Sequence, residues 1–330
     1  MKQKNTNIEI VRAIACIMVV VIHVANFYCR NYMHISTGEY IFSVSLNAFA
    51  RVSVPCFFMI SGALLLGKEE PVKKSMTKAW RFFIVLVAWT AIYYVFNTFY
   101  THQECNWKTL LSVPSKRHLW YLYVLVAIYL VMPLLQALVR GMGEKLETFF
   151  LTLGGIWMVA LYVMSYLHLD IYYDLPIFGD KSYIYYFFLG YFIVKYLDRI
   201  HVKNLYLWLA FIGGNVVNIV LTVIKYFTIG KHWDFLLAYG NPLTIISAAA
   251  FFILILKNGK GYSKLLQTFC SCSFGIYLIH VMMINIYNKH VPLSTFPVYL
   301  GFPIMAVVVS GVSFLAVYLL RKIPVIKRIV

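Results

Sequence analysis

What this chain has little of is charge. Asp, Glu, Lys and Arg make up 12% of its 330 residues, against roughly 25% in ordinary soluble domains. Acidic residues are the scarcest of these, 12 against 29 lysines and arginines. Apolar residues supply 62%, so lipid rather than water is expected to solvate most of the surface. Apolar runs recur from residue 8 to residue 320 with no long polar interval between them, which excludes a soluble domain with a core of its own. The chain reads as one membrane domain over 1–330, without a soluble extracytoplasmic domain.

Other absences narrow the reading further. The apolar runs show no ten-residue alternation, which excludes a membrane β-barrel and leaves helices as the spanning element. No small-x-small cleavage site follows the first run, which holds Arg12 and His23 and is too long for a signal-peptide core. It is expected to remain as the first membrane helix. The formal charge of +17 comes without an arginine-rich arm or an aromatic-interleaved basic patch, so nucleic acid is not an expected partner. No His-x-x-x-His or His-x-x-Glu-His pair occurs, and after Glu9 no carboxylate lies within an apolar run except Asp198 at the very end of the sixth; a zinc site is not expected, although three histidines are enough to form one. Of six cysteines, Cys16, Cys56, Cys270 and Cys272 lie in apolar runs and read as small hydrophobes. Cys29 and Cys105 fall in segments expected outside the cytoplasm and are open to pairing in an oxidising compartment.

What is present is a series of runs close to the twenty residues a helix needs to cross a bilayer. They lie near 8–29, 43–66, 79–100, 119–139, 148–167, 183–199, 204–227, 235–256, 265–288 and 298–320, the sixth being short. The fold class is therefore all-α: a polytopic membrane protein of about ten transmembrane helices. Nineteen of the 29 basic residues collect in alternate connecting segments and at the two ends of the chain. By the positive-inside rule both termini are cytoplasmic. The expected location is the inner (plasma) membrane.

Ionisable side chains within spans are costly and mark cavities. Arg12 and His23 share the first span. Eleven residues make almost three helical turns, so the two side chains lie on one face about 16 Å apart, with His23 in the outer half of the membrane. The run Arg51-Val-Ser53-Val-Pro55-Cys-Phe-Phe-Met-Ile-Ser61-Gly62 stands near the outer end of the second span, where Pro55 and Gly62 are expected to loosen the helix. His118-Leu-Trp120-Tyr121 opens the fourth span. Trp120 and Tyr121 suit an interfacial belt, but His118 is left without such a reason. In the ninth span Ser273, Tyr277 and His280 recur at helical spacing on one face. The outer half thus receives three histidines, and the inner half Arg12 with the loop ending in Lys78-Ala-Trp-Arg81. Histidine accepts a proton from a hydroxyl near neutral pH; clustered basic residues suit phosphate.

Taken together, Arg12-x10-His23, Arg51-x3-Pro55-x-Phe-Phe-x-Ile-Ser61-Gly62, His118-Leu-Trp120-Tyr-Leu and Ser273-x2-Ile-Tyr277-Leu-x-His280 resemble the acyltransferase 3 family of membrane acyltransferases. The correspondence runs in order over essentially the whole chain and is nearest to short members without an esterase-like domain. The resemblance implies an acetyl group carried from cytoplasmic acetyl-CoA, as co-substrate, to a hydroxyl of a cell-surface glycan or lipid-linked glycan precursor. It makes His23 the catalytic histidine, with Arg12 its partner. The family's cytoplasmic Arg-x2-Arg falls on Lys78 and Arg81, and lysine lacks the bidentate fork of arginine. Arg12, Lys78 and Arg81 are the expected donor contacts. Arg51, Ser53, His118, Trp120, Tyr277 and His280 are assigned to the region that meets the acceptor or the oxyanion. The competing class is a transporter or glycolipid flippase without chemistry, which also needs polar residues on a midplane cavity. The sequence shows no convincing internal repeat of the kind transporters often carry.

Overall fold

The computed structural model describes residues 2–103, 112–169, 175, 177–178, 183–261 and 263–330, with no strand among them. Eleven helices follow one another: α1 (Lys2–Arg30), α2 (Thr37–Ala50), α3 (Ser53–Leu65), α4 (Val72–Phe99), α5 (Trp120–Gly141), α6 (Glu144–Tyr166), α7 (Tyr183–Lys195), α8 (Asn204–Ile229), α9 (Pro242–Asn258), α10 (Lys264–His290) and α11 (Val298–Leu320). Among the described residues nine helical segments are long and apolar enough to cross a bilayer, and α7 is a shorter apolar helix. The ten apolar runs of the sequence are therefore ten helical segments. Large apolar side chains along α8, including Leu205, Leu209, Ile212, Val216, Val220 and Phe227, are exposed, the expected face toward lipid.

The helices run longer than the apolar runs that announce them. The second segment extends over Thr37–Leu65, which puts Arg51 near its middle rather than near its outer end. The helix is interrupted at Arg51 and Val52, between α2 and α3. Pro55 explains the position, because it has no N–H to give to the carbonyl of Arg51 four residues earlier. Gly62 does not loosen the helix. It lies inside the continuous α3, where a Cβ would stand 1.7 Å from the carbonyl oxygen of Phe187 in α7; the reciprocal Gly190 would meet the Met59 carbonyl oxygen at 2.1 Å. The two glycines let the backbones of α3 and α7 touch, the small-residue packing common between membrane helices.

This crossing explains how α7 tolerates its length. Thirteen residues rise about 20 Å, less than the roughly 30 Å hydrocarbon core, but α7 packs against α3, α6 and α9 and its Tyr186, Phe187 and Phe188 are fully buried. At its end, Lys195 and Tyr196 donate to the buried carboxylate of Glu147. Glu144 and Glu147 belong to α6 and Glu39 to α2, so three carboxylates beyond Glu9 are carried on spanning helices. All three sit in the first turn of their helices, where the apolar count of the sequence stops short. Of the two cysteines considered for pairing, Cys29 is buried and Cys105 lies outside the described residues.

Candidate functional site

A cavity of about 940 Å³ runs along the bundle. Taking the end where α1 starts as the inner end, its lining begins with Arg12, Arg81 and Arg328, continues past Val19, Phe82 and Val85 to His23, and reaches Arg30, Asn31, Lys116, Arg117 and Asp234 at the outer end. Arg12 and His23 both line it, as their helical spacing predicts. So do Arg51, His118, Trp120 and Tyr277. Ser53, Lys78 and His280 do not. Ser53 is fully buried with its hydroxyl unpartnered. Lys78 donates to Glu70 at 2.5 Å, a carboxylate that Lys74 also approaches, at 3.2 Å. His280 is wholly buried behind the ring of His23.

The three histidines come from α1, the turn before α5, and α10. Their ring centroids are 4.8 Å apart for His23 and His280, 5.3 Å for His118 and His280, and 6.1 Å for His23 and His118. Backbone carbonyls fix two of the tautomers, because a carbonyl only accepts. Nδ1 of His280 faces the carbonyl oxygens of Tyr277 at 2.7 Å and Ile276 at 3.2 Å, so it carries the proton. Nε2 of His118 donates to the Leu278 carbonyl at 3.3 Å. The remaining nitrogens, Nε2 of His280 and Nδ1 of His118, are buried lone pairs without a partner. Tyr93 also donates to Leu278 O, at 2.8 Å, and Tyr277 donates to His118 O at 2.5 Å, which locks α4, α5 and α10 together at this level. Tyr277 shows the cavity its ring while its proton is engaged elsewhere. Among the described residues no three His, Cys, Asp or Glu side chains are grouped so as to hold a metal ion.

The model of the acyltransferase 3 family, an acyltransferase domain, matches residues 5–322. The chain belongs to the acyltransferase 3 family. Comparison with curated proteins and with solved structures gives no match. Membership makes the protein a membrane acyltransferase, and an acyltransferase needs a base for the acceptor hydroxyl and a cradle for the donor. His23 and His118 are the two imidazoles on the cavity wall.

The charges of the acyltransferase are distributed unevenly along this cavity. Arg12 gives one Nη to both oxygens of Glu9, at 2.6 and 2.7 Å. Arg51 is braced sideways: its Nε donates to Asn47 Oδ1 at 3.0 Å, and Asn47 donates to Asn26 Oδ1 at 2.8 Å. That relay ties the midpoint of the second segment to α1 one turn beyond His23. Trp120 stacks on Tyr183 at 4.5 Å, and both line the cavity; Trp120 is thus part of an aromatic wall rather than an interfacial belt.

Sequence reasoning did not single out Arg328, the Asn26–Asn47 relay, Tyr183 or Asp234. Arg328 was visible only as one of the basic residues that set topology. The chain after α11 turns back, and Trp89 Nε1 donates to the Ile329 carbonyl at 2.7 Å, which brings Arg328 and Val330 to the cavity. Nothing in a window of apolar residues predicts that return.

Proposed function

We propose that the protein is an O-acyltransferase that moves an acetyl group from acetyl-CoA, entering at the inner end, to a hydroxyl of a cell-surface glycan or lipid-linked glycan precursor reaching in from the outer end. One observation carries the reading: a single cavity has Arg12, Arg81 and Arg328 at one end and His23 with His118 farther along. Three arginines suit the phosphates of the donor, and the roughly 16 Å between Arg12 and His23 suits its extended arm. Acetyl-CoA supplies the activated thioester. On its motifs the chain resembles short family members such as the enterobacterial common antigen O-acetyltransferase. The distribution of lysine and arginine favours cytoplasmic termini and an inner-membrane location.

In the reaction, His23 takes the proton of the acceptor hydroxyl as its oxygen bonds to the thioester carbon. The carbon–sulfur bond then breaks, and the departing sulfur recovers that proton. Arg51 and His118 stand where the oxyanion or the acceptor would be held. With no carboxylate beside His23 among the described residues, the buried lone pair of His280 is the group available to orient it, in place of the usual acid–histidine pair.

The test is transfer of labelled acetyl groups from acetyl-CoA to a glycolipid extract by protein reconstituted in lipid. Wild type is expected to label glycolipid, and His23→Ala to fall by about 10²–10⁴-fold while still binding CoA. Full activity in His23→Ala would sink the assignment of the base. Folded protein that consumes no donor beside a competent acceptor would favour the transporter class.

A further inference from the structure

The cavity is lined by seven cationic side chains and one carboxylate, Asp234. Four of the seven, Arg30, Arg51, Lys116 and Arg117, lie at or beyond the level of His23. A donor held at the inner end does not account for them, and the positive-inside rule works against keeping them at the outer end. Arg51 is the most telling, because it stands at the middle of a spanning segment. A half-buried cation there is costly unless an anion compensates it. Its Nε is engaged by a buried neutral amide, Asn47, and no carboxylate among the described residues lies within ion-pair distance of its guanidinium. The face of the Tyr239 ring, 5.6 Å away, gives only weak compensation. Across the same outer cavity Asn285 carries a buried Nδ2 that donates to nothing.

From this arrangement we infer that the acceptor is anionic: it presents a phosphate or carboxylate oxyanion, close to the hydroxyl that is acylated, to Arg51. Arg117 and Arg30 extend the site outward, and Asn285 supplies a neutral donor. The inference rests on the acyl-transfer reading for the word acceptor, but the anion site stands on its own geometry. The shared chemistry has two sources, a phosphate that links a glycan to its lipid carrier or an acidic sugar within the glycan. Bracing by Asn47 leaves the Nη groups of Arg51 for the ligand, the geometry that suits a planar or forked oxyanion.

The experiment uses full-length protein in phosphatidylcholine vesicles, whose headgroups carry no net charge, with labelled acetyl-CoA. Three acceptors are compared: a methyl glycoside, the matching uronate and the matching glycosyl phosphate. Wild type is expected to prefer at least one anionic acceptor in kcat/KM by about 10- to 100-fold, the value of one charge-assisted contact, and whichever anion is preferred identifies the source. The preference should shrink to about 3-fold or less in Arg51→Gln and by an intermediate amount in Arg117→Gln, which serves should the first variant fold poorly. Equal use of all three acceptors by wild type, or a preference that survives both substitutions, overturns the proposal. In parallel, glycosyl phosphate is added to His23→Ala protein without donor. A rise in Tm that is lost on adding Arg51→Gln supports the anion site whether or not acyl transfer occurs; should no acceptor take label in the first assay, it is the acyl-transfer reading that fails.

Discussion

The two halves of the cavity handle positive charge differently. At the inner end Arg12 is answered by Glu9 within one helical turn, and behind the cavity wall Lys78 and Lys74 are answered by Glu70, while Arg81 and Arg328 have no ion-pair partner among the described residues. In the outer half Arg30, Arg51 and Arg117 have no ion-pair partner among the described residues; His118 and His280 rest on backbone carbonyls, and His23 lies against both rings. A carboxylate beside a cation lowers the cost of placing it near lipid, but it also competes with any anionic ligand. The inner half offsets one of its three lining arginines with a carboxylate and leaves two open to the cavity. The outer half keeps its field and its lone pairs unspent.

The largest effect that tests this contrast falls on His280. It does not line the cavity, so a purely cavity-based view expects little from replacing it. If its Nε2 lone pair orients His23, His280→Phe keeps the bulk and removes the acceptor. kcat should then fall by about 100-fold with the donor KM unchanged. A loss confined to protein yield, with normal kcat in the folded fraction, would make His280 a packing residue only.

At the inner end the expected effects are smaller and lie in KM. Arg328 reaches the cavity and is exposed, so Arg328→Ala should raise the donor KM by about 10-fold with kcat retained. Lys78→Ala should change it by less than about 3-fold, because its amine is already given to Glu70. Measured KM values in the reverse order would mean that Glu70 releases Lys78 when donor binds, and the inner half would then be a switch rather than a preset cradle.

Much of this layout is legible in the sequence, and what is not has identifiable causes. Ten apolar runs gave ten helical segments because lipid demands both hydrophobicity and length. The shared face of Arg12 and His23 followed from helical geometry alone. Distinctions among neighbours did not follow. Ser53 and Arg51 are two residues apart, and the Ser53 hydroxyl is sealed in the core while the Arg51 side chain reaches the cavity. His23 and His280 look alike in sequence, and only the packing of α1 on α10 decides which ring faces the cavity. Lys78 matched a motif position, but Glu70, eight residues earlier and outside any helix, redirects it. Gly62 read as a flexible point and is a contact with α7, a partner 125 residues away. Each miss is a tertiary pairing, which local periodicity does not encode.

The smallest expected effect separates the two ends by pH. In the loop before α9, burial holds the His232 imidazole below its ordinary 6.5, with Asp234 opposing this and the charges of Arg51 and Arg30 adding to it; its Nδ1 lies 3.0 Å from the Tyr40 hydroxyl. Before α4, the hydrogen bond from Lys78 holds Glu70 below its ordinary 4.5. In both sites the unfolded chain binds a proton more readily than the folded one, so folded stability rises with pH in each window. The His232 contribution is complete above about 6.5 and declines as pH drops toward the folded value. The Glu70 contribution persists through that range and is lost only as pH falls from about 4.5 through the depressed folded value. Thermal unfolding in detergent should therefore show a decline of about 1–3 °C between pH 7.5 and 5.5 that His232→Asn removes and Lys78→Met leaves intact, and a further decline below pH 4.5 that Lys78→Met reduces. A slope between pH 7.5 and 5.5 that remains in His232→Asn would assign it to the membrane-embedded histidines instead, and the outer half would then owe its pH response to the site itself rather than to the loop that covers it.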